Sequence, residues 1–195
     1  MRIYLVTDER LLLGKDLYRT VEAAVKGGVS MVQLREKESS TREFVERAIR
    51  LKEVLTPYGV PLIINDRVDV ALAANADGVH VGQSDMPYEM VKRLLPEGKI
   101  IGLSVESPEQ VLEANNYDLD YVAASPVFST TTKTNTIVEW GLDGLRWIRS
   151  VSRHPLVAIG GIHSNNVASI CKAGADSVAV ISAIVSADDP ERAAR

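Results

Sequence analysis

Three short segments place polar or charged side chains within or directly after an apolar run. They are residues 31–37 (MVQLREK), 62–66 (LIIND) and 79–85 (VHVGQSD). Alternate residues of a strand point to the same face, so Gln33, Arg35 and Lys37 are predicted to share one face. Two cations on one face repel each other and lose hydration unless an anion lies between them. The first segment therefore predicts an anion-binding site.

Two aspartates follow neighbouring apolar runs at similar positions, Asp66 after the second segment and Asp85 at the end of the third. Carboxylates at strand ends are typical ligands of a hard cation such as Mg²⁺. The alternative is that each caps the next helix, one beginning near Asp69 and the other after Pro87. Capping is the better interpretation for either residue alone. Beside the two cations, the pair favours Mg²⁺, and together these groups predict a diphosphate site.

The composition limits the class of protein. A chain of 195 residues with 46% hydrophobic and 25% charged residues predicts one soluble domain over residues 1–195. A net charge of −4 argues against general binding to nucleic acids or acidic membranes. The single Cys171 excludes an intrachain disulfide and a cysteine-based zinc site. Residues 1–7 already form a strand pattern, and no apolar run reaches bilayer length, so we expect a cytoplasmic protein without a signal peptide.

Short apolar strands alternate with amphipathic helices along the chain. Strands are predicted at residues 3–7, 31–35, 61–65, 78–81, 100–104, 121–124, 156–159 and 177–180. Helices are predicted at residues 17–26, 41–55, 69–74, 86–94, 108–115, 141–150, 165–173 and 185–195. Eight strand–helix units predict an α/β fold, a compact (β/α)₈ TIM barrel. An open doubly wound sheet is the runner-up, but no GxGxxG motif follows a strand.

The carboxyl ends of barrel strands form one face, where active sites of this architecture lie. Polar groups and glycines from six predicted strand ends and from the irregular loop 125–139 converge there: Gln33, Arg35, Lys37, Asn65, Asp66, Gln83, Asp85, Ser104, Thr130, Thr132, Lys133, Gly160, Gly161 and Ser182. The loop is interpreted as a functional lid. The Gly160-Gly161 pair could form a tight turn or hold a phosphate with its N–H groups, and Ser182 opposite favours the phosphate.

Other chemically capable residues receive structural interpretations. His80 lies within an apolar strand and is predicted to be a hydrogen-bonded barrel residue. His154 and His163 are predicted in loops, with His163 close to the barrel mouth, and Cys171 on an apolar helix face is predicted to be core. Trp140 and Trp147, seven residues apart, are predicted to pack on one helix face. No histidine stands out as a general base.

Over nearly its whole length the chain resembles the thiamine-phosphate synthase family. The resemblance rests on residues 4–8 (YLVTD), 33–37 (QLREK), 64–66 (IND), 76–85 (ADGVHVGQSD), 102–104 (GLS), 125–133 (SPVFSTTTK), 158–162 (AIGGI) and 174–182 (GADSVAVIS). It implies a (β/α)₈ barrel that joins 4-amino-5-hydroxymethyl-2-methylpyrimidine diphosphate to a thiazole phosphate. The implied products are thiamine phosphate and pyrophosphate, with Mg²⁺ as cofactor.

The resemblance also implies roles for individual residues. Gln33 would hold the pyrimidine, and Ser104 would reach the pyrimidine or its leaving oxygen. The diphosphate would be bound by Arg35, Lys37, Asn65 and Lys133, and Mg²⁺ by Asp66 and Asp85. The thiazole phosphate would be held by Thr130, Thr132, Gly161, Ile181 and Ser182, and the substrate-binding set also includes Leu34, Glu36 and Thr131. Arg35, Lys37, Ser104 and Lys133 would act in catalysis, by a dissociative mechanism through a pyrimidine cation.

Two departures and two rival families bear on this interpretation. Members of the family often have Gly at the position of Ser125 and Pro at that of Ser129, and both lie in the lid loop. A related thiazole tautomerase would carry a histidine where this chain has Pro126, and would lack the Gln-x-Asp at residues 83–85. A catalytically silent phosphate-binding barrel would not need two carboxylates beside Lys133. The expected partners are small-molecule substrates, and the sequence leaves open a homo-oligomer, the carboxylation state of the thiazole and the rate-limiting step.

Overall fold

The structure is a computed structural model that describes residues 2–129 and 139–195. Its eight strands are all parallel and form a closed barrel in chain order. The strands are β1 (Arg2–Val6), β2 (Val29–Leu34), β3 (Leu62–Asn65), β4 (Gly78–Val81), β5 (Ile100–Val105), β6 (Tyr121–Ala124), β7 (Leu156–Ile159) and β8 (Ser177–Val180). The predicted (β/α)₈ barrel is confirmed, and β4, β6, β7 and β8 have the predicted bounds.

Helices connect the strands and surround the barrel. Within the described residues they are α1 (Leu17–Gly27), α2 (Thr41–Leu55), α3 (Val68–Ala73), α4 (Tyr88–Leu94), α5 (Pro108–Ala114), α6 (Gly141–Val151), α7 (Val167–Lys172), α8 (Ser182–Val185) and α9 (Pro190–Ala194). Short 3₁₀ turns occupy Glu9–Leu12 and Thr56–Tyr58. None of these helices combines the length and the apolar character needed to cross a bilayer.

The core consists of two layers because successive strand residues point to opposite faces. Residues such as Leu5, Val32 and Ile64 point outward and pack against the helices. The opposite face fills the barrel lumen, where Tyr4 and Tyr121 belong to a separate small cluster. The lumen therefore carries polar side-chain tips directly beneath the mouth of the barrel.

Strand β2 ends one residue earlier than predicted, at Leu34. Only Gln33 of the predicted polar face therefore lies on the strand. The alternation nevertheless continues past the strand end, because Gln33, Arg35 and Lys37 all line the cavity whereas Leu34 and Glu36 do not. The predicted shared face is confirmed.

The prediction of one final helix over residues 185–195 is wrong. Helix α8 ends at Val185, and α9 begins separately at Pro190. Proline disfavours helical geometry at the residue before it, and Asp189 is accordingly extended, with φ −124° and ψ 92°. The Asp189 side chain accepts a hydrogen bond from the N–H of Arg192 and so caps α9. Helix α9 then packs against α1.

Two smaller predictions have different outcomes. Cys171 is only half-buried, so its prediction as a core residue is wrong. The rings of Trp140 and Trp147 stack at 6.1 Å between centroids, which confirms that they pack together. Trp140 is the N-cap residue of α6, and its indole N–H donates to the Val105 carbonyl.

Candidate active site

A cavity of about 870 Å³ opens at the carboxyl ends of the strands. Ten residues of the predicted site line it: Gln33, Arg35, Lys37, Asn65, Asp66, Asp85, Ser104, Gly161, Ile181 and Ser182. They come from the ends of six strands or the segments that follow them, and the closed barrel brings them together because all its strands run the same way. The cavity also contacts Gln83, whose side-chain amide donates to the Ser104 carbonyl over 2.6 Å.

Two predicted substrate-binding residues point away from the cavity. Leu34 is fully buried in the layer between sheet and helices. The Glu36 side chain is 2% exposed and accepts hydrogen bonds from Arg47 and Ser39. Burial raises the pKa of Glu36 more than its partners lower it, as expected for a carboxyl in the protein interior. Neither side chain lines the cavity, so both are structural in this arrangement.

The remaining predicted site residues, Thr130, Thr131, Thr132 and Lys133, lie outside the described residues.

Each cation of the first segment has its own carboxylate. The Arg35 guanidinium donates to Asp8 over 2.7 Å, and the Arg35 backbone N–H donates to the Thr7 hydroxyl. The Lys37 ammonium lies 2.5 Å from Asp66. The expected anion between the two cations is thus replaced by two separate ion pairs. Asp8 was not predicted as a partner of Arg35, although it closes the YLVTD motif and has the charge that Arg35 requires.

Helix capping is not the role of Asp66 or Asp85. The N-cap residues of α3 and α4 are Arg67 and Pro87, and neither helix has a side-chain cap. Asp66 instead adopts a left-handed φ of 61°, and its N–H donates to the His80 carbonyl over 2.8 Å. A non-glycine residue in this conformation is uncommon and points to a functional constraint. Asp85 turns back and accepts a hydrogen bond from the N–H of Gly82 over 2.7 Å.

Asp66 lies close enough to Asp85 to influence the ionisation of Asp85. Burial raises the pKa of Asp85 most, and the nearby Asp66 carboxylate raises it further. The N–H of Gly82 and the Lys37 ammonium act in the opposite direction. A carboxylate that is disfavoured by burial and by a neighbouring carboxylate gains from a bound cation, so Asp85 beside Asp66 fits a hard divalent ion.

The donor set is also limited. Among residues 2–129 and 139–195, no group of three or more acidic, histidine or cysteine side chains could hold a metal ion. Mg²⁺ typically binds one or two carboxylates and completes its shell with water and substrate phosphates. The fit is therefore to a metal shared with a phosphorylated ligand, and not to a closed protein cage.

Opposite this acidic pair, the Gly160-Gly161 turn lines the cavity. Both glycines have positive φ, 100° and 65°. A Cβ on Gly161 would lie 2.8 Å from both the Phe128 Cβ and the Ser129 carbonyl, so the turn and the start of the lid loop pack together. Asn166 braces the turn, because its side-chain amide donates to the Gly161 carbonyl over 2.8 Å. The hydrogen bond from Asn166 to Gly161 was not predicted, although an asparagine five residues after a glycine pair is close enough in sequence to reach it.

Five buried polar side chains in the barrel lumen are hydrogen-bonded into one chain, and all of them except Tyr121 also line the cavity. Gln33 contacts Tyr4, Tyr4 contacts Tyr121, and Tyr121 contacts His80. The second ring nitrogen of His80 lies 2.9 Å from the Ser104 hydroxyl. The prediction that His80 is a hydrogen-bonded barrel residue is confirmed. Neither tyrosine was assigned to the site from the sequence.

Comparison with known proteins adds independent evidence. The family model described as thiamine monophosphate synthase matches residues 3–184. A thiamine-phosphate synthase of Albidiferax ferrireducens is 53% identical over 190 residues, covering 97% of this chain and 87% of that protein. A thiamine-phosphate synthase of Leptospira biflexa is 52% identical over 195 residues, covering 98% of this chain and 93% of that protein.

Solved structures agree with the sequence comparisons. A thiamine phosphate pyrophosphorylase from Pyrococcus furiosus superposes with a TM-score of 0.90 at 41% identity, covering 99% of this chain and 91% of that one. The resemblance inferred from the strand-end motifs is confirmed over almost the whole chain. The chain therefore belongs to the thiamine monophosphate synthase family.

Proposed function

We propose that the barrel mouth joins 4-amino-5-hydroxymethyl-2-methylpyrimidine diphosphate to a thiazole phosphate, as a thiamine-phosphate synthase. Family membership and identities of 52–53% over nearly the full chain support this transferase activity. The observation that carries it structurally is one cavity with two ion-paired cations and an acidic pair on one side and a glycine turn on the other. Such a cavity can hold a metal-bound diphosphate and a second phosphate together.

The bond changes need no protein base. The C–O bond between the pyrimidine methylene and the diphosphate breaks, and its electron pair leaves on the pyrophosphate oxygen. The thiazole nitrogen lone pair then forms the new N–C bond, and no proton is transferred. Both ring nitrogens of His80 are occupied by Tyr121 and Ser104, which agrees with chemistry that does not use this histidine as a base.

The protein must instead stabilise charge that develops on the leaving group. Arg35 and Lys37 lie at the rim with their carboxylate partners and can move toward an incoming diphosphate. Asp66 and Asp85 would hold Mg²⁺, which when bound would neutralise negative charge on the phosphate oxygens. We propose a dissociative mechanism, in which a pyrimidine cation forms before the thiazole attacks. The cation is favoured because the ring amine donates electrons to the reacting carbon.

The rival assignments are less well supported. A tautomerase would need a base at the start of the lid loop, where Pro126 lines the cavity instead. A silent phosphate-binding barrel would need only the glycine turn, and would not require Asp66 and Asp85 together in the cavity lining. The acidic pair therefore favours the synthase.

The test is to incubate the protein with both substrates and Mg²⁺ and to measure thiamine phosphate and pyrophosphate. We expect equimolar products, and the Lys37→Met variant should lower kcat severely. Lys92→Met is a matched control, because Lys92 and Lys37 are both 52% exposed and both pair with an aspartate. Absence of thiamine phosphate, or isomerised thiazole as the product, would contradict the proposal.

A further inference from the structure

The lumen of the barrel contains an unbroken chain of hydrogen bonds between Gln33 on β2 and Ser104 on β5. From Gln33 Nε2 to Tyr4 Oη the distance is 2.7 Å, and from Tyr4 Oη to Tyr121 Oη it is 2.8 Å. Tyr121 Oη lies 3.0 Å from His80 Nδ1, and His80 Nε2 lies 2.9 Å from Ser104 Oγ. Gln33 and Ser104, the two ends of the chain, line the substrate cavity, as do Tyr4 and His80, whereas Tyr121 does not.

One direction of hydrogen bonding gives every hydrogen between Gln33 and Ser104 an acceptor within the chain. Gln33 Nε2 can only donate, so Tyr4 Oη accepts from it, and in this direction Tyr4 gives its own proton to Tyr121. Tyr121 then has its single proton for His80 Nδ1, which is the unprotonated nitrogen. In a neutral imidazole the other nitrogen carries the hydrogen, so His80 Nε2 donates to Ser104 and the Ser104 hydroxyl hydrogen is left for the cavity.

The packing around the chain holds these groups in place. The Tyr121 ring reaches His80 across the intervening strand β5, where Gly102 pairs with both residues. A Cβ on Gly102 would lie 2.1 Å from the Tyr121 ring, so only glycine leaves room for this path. The rings of Tyr121 and His80 stack at 5.6 Å with 14° between their planes. Burial raises the pKa of both Tyr4 and Tyr121 above the ordinary range, so each phenol keeps exactly one proton to donate.

We propose that the chain adopts this direction, and that Tyr121, which does not line the cavity, is a positioning residue that fixes through it the hydrogen-bonding pattern the cavity offers to the pyrimidine. Gln33 Oε1 is left to accept a hydrogen bond, and the Ser104 hydroxyl is left to donate one. An aminopyrimidine has the complementary groups, an amine that donates and ring nitrogens that accept. A 4-oxo pyrimidine places a carbonyl where the amine would be and is rejected, because it would face Gln33 Oε1 with no hydrogen between them.

The two ends are coupled. Turning the Gln33 amide over to suit a carbonyl would make Tyr4 donate to Gln33, and each remaining bond would then have to reverse. His80 would move its proton to Nδ1, and Ser104 would lose its donor to the histidine. Accepting the carbonyl therefore requires the whole chain to reverse, and not one side chain alone, which favours the amine. The inference rests on the proposed function for the identity of the ligand, but the histidine tautomer does not depend on it.

Two experiments test the proposal. In the ¹⁵N NMR spectrum of the protein without substrate, comparison with His80→Asn assigns His80 among the three histidines of the chain. We expect His80 to be protonated at Nε2, and protonation at Nδ1 would overturn the direction of the chain whether or not the protein is a synthase. This measurement needs no variant of Tyr4 or Tyr121 to fold.

The second experiment measures Kd by calorimetry for the 4-amino pyrimidine diphosphate and its 4-oxo analogue. We expect wild type to prefer the amine by at least about 100-fold. Tyr121→Phe breaks the chain in the middle, frees Gln33 to turn over alone, and should reduce this preference about tenfold or more. Tyr58→Phe, at an exposed tyrosine bonded to Glu22, is the control and should keep it. An unchanged preference in a folded Tyr121→Phe variant would overturn the coupling. Failure of wild type to bind either diphosphate would instead overturn the proposed function.

Discussion

Substitution of Gly161 by alanine should separate the thiazole side of the cavity from the pyrimidine side. Gly161 has φ 65°, a region in which an L-residue costs about 1–2 kcal/mol. The added Cβ would lie 2.8 Å from both the Phe128 Cβ and the Ser129 carbonyl, against an ordinary contact of at least 3.4 Å. The turn must therefore shift by about 0.6 Å, the difference between these distances. A shift of this size misaligns any backbone N–H that binds a phosphate.

The expected loss follows from the hydrogen bond at stake. A hydrogen bond to a charged group contributes about 1.5–3 kcal/mol, which corresponds to a roughly tenfold to hundredfold change in affinity. We therefore expect the KM for thiazole phosphate to rise by about that factor. The KM for the pyrimidine diphosphate should change by less than about threefold, because its proposed ligands lie across the cavity.

Gly59 supplies a matched control for the backbone term. It has φ 63°, and a Cβ there would meet no atom within 4 Å. Gly59→Ala should therefore lose similar stability in urea unfolding and leave both KM values unchanged. The assay is steady-state kinetics with each substrate varied in turn. Equal increases in both KM values, or none in a folded Gly161→Ala variant, would refute the placement of the thiazole phosphate at this turn.

Three further predictions follow from the same geometry. Asp85→Asn should increase the free energy of unfolding of the metal-free protein at pH 7, because burial and Asp66 raise the pKa of Asp85. A carboxyl with a raised pKa in the folded state costs stability as pH rises, so the gain should vanish in acid; a less stable variant at pH 7 in urea unfolding would contradict this. Gly102→Ala should displace the Tyr121 ring and abolish the Nε2-protonated signal of His80 in ¹⁵N NMR, whereas an unchanged spectrum in a folded variant would show that the lumen has room. Electron-withdrawing substituents on the pyrimidine should slow single turnover strongly, and a flat series with rate-limiting chemistry would exclude the dissociative mechanism.

The architecture could be predicted from the sequence because strands and helices in a parallel barrel have distinct apolar periods. The bounds of β4 and β6 follow from short apolar runs flanked by turn residues. The break between α8 and α9 was not predicted because the helical pattern continues on both sides of Pro190. The proline nevertheless keeps Asp189 out of the helical conformation and so interrupts the helix.

The grouping of the site could also be predicted, but the partners within it could not. Strand order shows that Arg35 and Asp66 approach the same mouth, yet the pairing of Arg35 with Asp8 depends on how two loops meet. Glu36 lies between two cavity residues in sequence but turns outward to Arg47 on α2. A motif predicts that a segment lies at the site. The structure is needed to show which residue each side chain pairs with.

The lumen network marks a further limit of sequence reasoning. Tyr4 and Tyr121 are both in apolar strands, where a tyrosine is usually interpreted as packing. Their hydroxyl groups meet because β1 and β6 face each other across a narrow barrel, a contact between residues 117 positions apart. Gly102 is the one local signal, since a glycine inside a strand indicates close approach of another group.

The most direct test of the proposed chemistry is the metal dependence of thiamine phosphate formation through the acidic pair. Rates should be measured for wild type and for the Asp66→Ala, Asp85→Ala double variant, each with Mg²⁺ and with a chelator. Asp118→Ala, at an exposed aspartate paired with Lys92, serves as the control. We predict that wild type and the control form product only with Mg²⁺, and that the folded double variant loses most of its activity. Turnover of the double variant in chelator at the rate of wild type with Mg²⁺ would contradict the account.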